Sequence, residues 1–177
     1  MTTAAISRGE DVNQEFEELF REHFQFVHST AYSVTGSRQD AEDVLQTIFL
    51  RLLRREIPPD LKRNPKGYLY RAAVNESLNI IRSRKRQDPT DILRLLETTS
   101  TPIDQHPDAE LQKKVTDAMS HLSSLAVEVL ILHYEHNCSD AEIARMLGRS
   151  RGTIAVTLYR TRARLKKLLK ARPGDPL

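Results

Sequence analysis

Residues 139–160 read SDAEIARMLGRSRGTIAVTLYR, and this stretch decides the fold. Ser139-Asp140-Ala141-Glu142 is a capping box, in which the serine accepts from a backbone amide three residues on while the glutamate reaches back to the serine amide. It opens a short helix through Ile143, Ala144 and Leu147, and Gly148 is suited to end it in a left-handed conformation. Ser150 then caps a second helix whose apolar residues Ile154, Leu158, Leu165 and Leu168 recur at helical spacing. A short helix, a glycine turn and a basic helix make a helix-turn-helix, which offers the start of its second helix to a major groove. Arg149, Ser150, Arg151, Thr153, Val156, Thr157 and Arg160 are the residues placed to meet phosphates and base edges.

Upstream of this motif, helical spacing continues through Leu111, Val115, Ala118 and Leu122, then through Leu125, Val129 and Leu132 after Ser123-Ser124. These residues define a module over 107–171, with 172–177 as a tail. Over 87–106 the periodicity fails amid Asp88-Pro89-Thr90-Asp91 and Thr98-Thr99-Ser100-Thr101-Pro102, apart from the island Ile92-Leu93-Leu95-Leu96; the segment reads as a flexible linker.

A first module occupies 15–86. Phe16, Leu19, Phe20, Phe24, Val27 and Ala31 line one helix, and Ala41, Val44, Leu45, Ile48, Phe49 and Leu52 line the next, with Gly36-Ser37 between them. Ile57-Pro58-Pro59-Asp60 stops the second helix, and a loop runs through Lys62 and Arg63 to Asn64-Pro65, an N-cap followed by proline at the first helical position. The third helix has Leu69, Ala72, Ala73, Ile80 and Ile81 inside and Arg71, Arg82, Arg84, Lys85 and Arg86 outside. Residues 1–14 are expected to be a disordered N-terminus. The expected fold class is all-α: a three-helix bundle and a helix-turn-helix bundle, two small domains on a flexible linker.

Composition agrees, since 39% of residues are hydrophobic, Trp is absent and only six glycines occur, so long buried strands find no support. The formal net charge of +3 hides a segregation that matters more. Residues 1–50 hold 3 Lys/Arg against 9 Asp/Glu, 51–86 hold 11 against 3, 87–144 hold 3 against 11, and 145–172 hold 10 against none. Two basic surfaces on different modules suit a polyanion touched at two places, with binding that weakens steeply in salt; the plainer alternative is two solvated helix faces. A single cysteine, Cys138, forms no internal disulfide, and neither a signal peptide nor a spanning stretch is evident, so a reducing cytoplasm with nucleoid association and no membrane insertion is expected.

The two modules resemble regions 2 and 4 of the extracytoplasmic-function (ECF) group of sigma-70 family RNA polymerase sigma factors, from about Phe16 to Leu169. Asp40-Ala41-Glu42-Asp43-Val44-Leu45-Gln46-Thr47-Ile48-Phe49 looks like the family's helix that docks on the polymerase β′ clamp, which implies Asp40, Glu42, Asp43, Gln46 and Phe49 as polymerase-binding. The run from Asn64 to Asn75, with Arg82 and the basic tail, resembles the −10 helix. It implies Lys62, Arg63, Asn64, Lys66, Tyr68, Arg71, Asn75, Asn79 and Arg82 as −10 contacts, with an extruded base held by the loop around Glu56 to Lys66. Glu142-Ile143-Ala144, Leu147-Gly148, Gly152-Thr153-Ile154 and Arg160 are similar to the −35 reader. The family usually has Trp at Tyr68, Asp at Asn79, Pro at Ser123 and a Lys-Ser-Arg-like run at Ala155-Val156-Thr157.

What the resemblance implies is promoter-directed initiation with core RNA polymerase (β′ clamp and β flap), promoter DNA and an anti-sigma factor as partners, and a monomer when free. No catalytic motif and no cofactor or metal is expected; His133, His136 and Cys138 lack an evident fourth ligand. Two other readings remain: a stand-alone LuxR-like helix-turn-helix regulator, which leaves the first module unexplained, and a single-strand binding protein, which leaves the second basic module unexplained.

Overall fold

The computed structural model describes residues 3–54, 58–86 and 109–170. Eight helices follow one another there: α1 (Thr3–Thr35), α2 (Arg38–Leu53), α3 (Pro59–Arg63), α4 (Pro65–Arg86), α5 (Ala109–Ser120), α6 (Ser124–Tyr134), α7 (Asp140–Leu147) and α8 (Arg151–Lys170). The all-helical, two-part architecture expected from the sequence is what is found. The expected linker over 87–106, its leucine island, Glu56 and the tail over 172–177 lie outside the described residues.

Two expectations change. The helix placed from about residue 15 is longer at its start and runs from Thr3. No proline interrupts 3–15, and adding a residue to an existing helix gains a hydrogen bond without a new nucleation cost. The loop carrying Lys62 and Arg63 contains the short helix α3, which starts on Pro59 at N1 and buries Leu61.

The helix ends form as the sequence chemistry dictates. Ser37 accepts from the Asp40 amide at 3.3 Å to start α2, and the Asn64 side-chain oxygen accepts from the Gly67 amide at 2.9 Å to start α4. Ser123 caps α6 by accepting from the Ala126 amide at 3.3 Å.

Apolar burial falls into two clusters. One joins α1, α2, α3 and α4 through Val27, Ala31, Ala41, Val44, Ile48, Phe49, Leu52, Leu61, Leu69 and Ala73. The other unites both halves of the chain: Val34, Tyr70, Val74, Leu78 and Ile81 pack with Leu122, Val127, Leu130, Leu132, Ile143 and Ile154. Thus α4 is apolar on two sides, one facing its own bundle and the other facing the C-terminal unit. The inner face expected from Leu69, Ala72, Ala73, Ile80 and Ile81 corresponds to the first of these and meets the second only at Ile81.

Asp40 is 3% exposed, and both its oxygens accept from the Arg84 guanidinium, at 2.6 Å for the Nη1 contact. A carboxylate this deep is tolerated because a fork of two charge-assisted hydrogen bonds satisfies it. Arg84→Ala leaves that carboxylate unpartnered and should lower the unfolding free energy by about 2 kcal/mol; urea denaturation with an unchanged m-value measures it, and a loss near zero would show the pair contributes little.

Candidate nucleic-acid interface

At the C-terminal site, the capping box is complete, with the Ser139 amide donating to Glu142 Oε2 at 2.8 Å and the Glu142 amide to Ser139 Oγ at 3.4 Å. Gly148 sits at φ +63° in the left-handed region that a side chain would strain, and it turns the chain from α7 into α8. Ser150 accepts from the Thr153 amide at 3.1 Å, so α8 begins as expected. Ile154 and Leu158 anchor α8 inward, while Arg149, Ser150, Arg151, Thr153, Val156 and Arg160 are exposed and Thr157 is half-buried. All seven residues read as a DNA-contacting set therefore lie in the first half of α8 or just before it.

In the first unit the candidate residues divide. Lys62, Arg63, Lys66, Asn75 and Asn79 are exposed. The others are engaged by the C-terminal unit or partly covered. The Asn64 side-chain amide donates to the Met146 carbonyl at 3.0 Å, and Arg82 donates to the Leu122 carbonyl at 2.6 Å and the Ser120 carbonyl at 3.2 Å. Tyr68 and Arg71 are half-buried. Gly67 makes this approach possible, because a Cβ there would sit 2.6 Å from the Met146 carbonyl oxygen.

Of the residues read as polymerase-binding, Glu42, Asp43 and Gln46 are exposed along α2. Asp40 is held by Arg84, and Phe49 is 4% exposed, edge-on to Phe16 and Phe20. Those two shape α2 from inside and have no free surface to offer.

Sequence reasoning missed the residues between the units. The Tyr70 hydroxyl donates to the Glu128 carbonyl at 2.6 Å, and burial raises its pKa well above the ordinary value, with the Glu128 carboxylate adding to the rise. The Glu128 side chain is itself pushed up by burial, opposed by Arg71 of α4 and by Arg149 ahead of α8. The signal was present in the sequence: Tyr70, Val74, Leu78 and Ile81 form a second stripe at i, i+4, i+8 and i+11 beside the one used.

The histidines considered as ligands have other partners. His133 Nε2 lies 3.0 Å from Arg162, and His136 Nε2 lies 3.1 Å from the Thr30 hydroxyl of α1. Cys138 packs against the shared core, its thiol raised by burial and by Glu142.

These features define a two-unit helical DNA-binding protein with one helix-turn-helix and a second basic surface. Comparison with known proteins gives the class a family. Residues 19–87 match the family model for Sigma-70 region 2, and residues 112–165 match that for Sigma-70, region 4. An RNA polymerase sigma-E factor of Streptomyces antibioticus is 33% identical over 165 residues, covering 91% of this chain and 88% of that one. The ECF RNA polymerase sigma factor SigM of Mycobacterium tuberculosis is 30% identical over 154 residues, covering 87% and 76%. Among solved structures, the sigma factor RpoE from Bartonella quintana, crystallised with the anti-sigma factor NepR, is similar in fold at a TM-score of 0.50 and 23% identity, covering 89% of this chain and 98% of that one. The chain belongs to the ECF group of the sigma-70 family, and it is an RNA polymerase sigma factor directing promoter-specific transcription initiation.

His136 yields a pH dependence. Its ring lies 4.8 Å from Phe26 and 6.2 Å from Tyr70, and burial lowers its pKa from the ordinary 6.5, with Lys66 assisting and Glu135 opposing. The unfolded chain therefore takes up a proton first as pH falls, and stability intact above 6.5 declines below it. His136→Gln should flatten the decline between roughly pH 7 and pH 5.5 relative to the unaltered chain. Urea midpoints at those two pH values measure it, and parallel declines would refute it.

Proposed function

We propose that the chain binds core RNA polymerase through Glu42, Asp43 and Gln46 on α2, reads the −35 element with the start of α8, and captures the opened −10 element with α3 and α4. The observation that carries this reading is the exposed start of α8 beyond a fully capped turn, where every charged residue is an arginine, on a different unit from a second basic helix. Unstacking a base costs a few kcal/mol, and a protein with no nucleotide motif meets that cost by preferring the opened state. The exposure of Lys62, Arg63 and Lys66 supports a role in following a single strand's phosphates, with the half-buried Tyr68 ring as a stacking face.

Core polymerase is expected to be engaged at its β′ clamp and β flap, in the cytoplasm and on the nucleoid. No helix among the described residues is long and apolar enough to cross a membrane. The chain supplies binding energy and no catalytic group of its own. The RpoE relative was crystallised with NepR, which supports an anti-sigma partner here too. Run-off transcription on genomic fragments, including the chain's own upstream region, should give discrete transcripts only when chain and core enzyme are combined. No association with core enzyme at low salt would end the reading in favour of a stand-alone regulator.

The packing adds a conformational requirement. Asn64 and Arg82 are committed to carbonyls of the C-terminal unit, so single-strand capture by α4 needs the two units to part, whereas α8 is open already. Fluorophores on Gln39→Cys and Lys167→Cys, in a Cys138→Ser background, should move apart when core enzyme and promoter DNA are added together. An unchanged separation in a transcribing complex would contradict this.

A further inference from the structure

The outermost face of α8 carries no charge over its first three turns. Ile154, Leu158 and Thr161 define the buried side, and the residues directly opposite at 3.6-residue periodicity are Gly152, Val156, Tyr159 and Ala163. Val156 is 49% exposed and Tyr159 is 77% exposed, the largest value among the exposed large hydrophobic side chains. Arg149, Arg151 and Arg160 surround this stripe, and the whole stretch 145–172 holds no carboxylate.

That charge pattern selects the occupant. A cationic frame with no acidic residue repels a basic partner and attracts a polyanion, and the capped helix start has the shape that enters a major groove. Inside the groove, the residues that face base edges are those opposite the core. Gly152 brings backbone close, and neither Gly152, Val156 nor Ala163 carries a side-chain donor or acceptor. The feature of a major-groove edge that an aliphatic side chain can recognise is the C5-methyl of thymine.

We propose that this chain reads its −35 element chiefly through thymine methyl groups, packed against Val156 and the ring of Tyr159, while Arg149, Arg151 and Arg160 hold phosphates. The proposal rests on the reading of α8 as the −35 helix and specifies the chemistry of its selectivity. It makes Tyr159, which the sequence reading passed over, a specificity-determining residue. Ala155 is also exposed and lies beside Val156, so the methyl-contacting surface is wider than one side chain.

The test uses the full chain assembled with core polymerase and a duplex library randomised over the −35 region. The expected selection enriches thymine at one or more fixed positions. Replacing each such thymine by deoxyuridine removes only the methyl and should weaken binding by about three- to fivefold per contact, as expected for one buried methyl group. Val156→Ala or Tyr159→Ala should erase the thymine-over-uracil preference at its own position, and Tyr159→Phe should keep it. Thermal melts of these exposed-site variants should match the parent. Equal binding of thymine and deoxyuridine duplexes overturns the proposal while leaving α8 a DNA reader, as does a preference that survives in both alanine variants. A library that enriches no sequence overturns the DNA reading itself.

Discussion

Everything in this fold depends on α4 being covered on two sides. Leu69 and Ala73 face α1 and α2, while Tyr70, Val74, Leu78 and Ile81 face the C-terminal unit, so neither half of the chain can withdraw without leaving apolar surface in water. Hydrogen bonds fix the register of that contact. The Tyr70 hydroxyl, the Asn64 amide and the Arg82 guanidinium each end on a carbonyl of the opposite unit. Buried polar groups left without partners would cost more than these bonds gain, so the contact is specific as well as adhesive.

Function is layered onto this contact unevenly. The helix-turn-helix points α8 outward with its basic start free, but the helix suited to a melted strand is partly covered. In the reading proposed above, the helix assigned to the −35 element is thus open while the helix assigned to the melted strand is partly covered. Glu128 feels both Arg71 and Arg149, one from each set proposed to face DNA, and both oppose the rise that burial imposes on its carboxyl.

Much of this was legible in the sequence where the chemistry is local. The caps at Ser37, Asn64, Ser139 and Ser150 and the turn at Gly148 depend on residues within a few positions of one another, so that a local pattern contains them whole. The burial of Asp40 escapes such a pattern for the opposite reason. An acidic residue on an acidic helix looks exposed, and only the arrival of Arg84, 44 positions away, explains its burial. Tyr70, Val74 and Leu78 were equally readable as apolar, but which surface would cover them is set by a unit more than 40 residues on. The start of α1 at Thr3 was missed because polar residues give a weak periodic signal even where a helix propagates.

The close approach at Gly67 sets the terms on which any outside molecule meets α4. Since both units belong to one polypeptide, the C-terminal unit meets α4 as an intramolecular partner, at an effective concentration independent of how much protein is present. A ligand for the covered face meets a resident competitor that dilution cannot remove, and its apparent affinity falls by the fraction of molecules that stand open. Occupancy is then governed by the balance between the outside ligand and the covalently attached C-terminal unit, at any protein concentration.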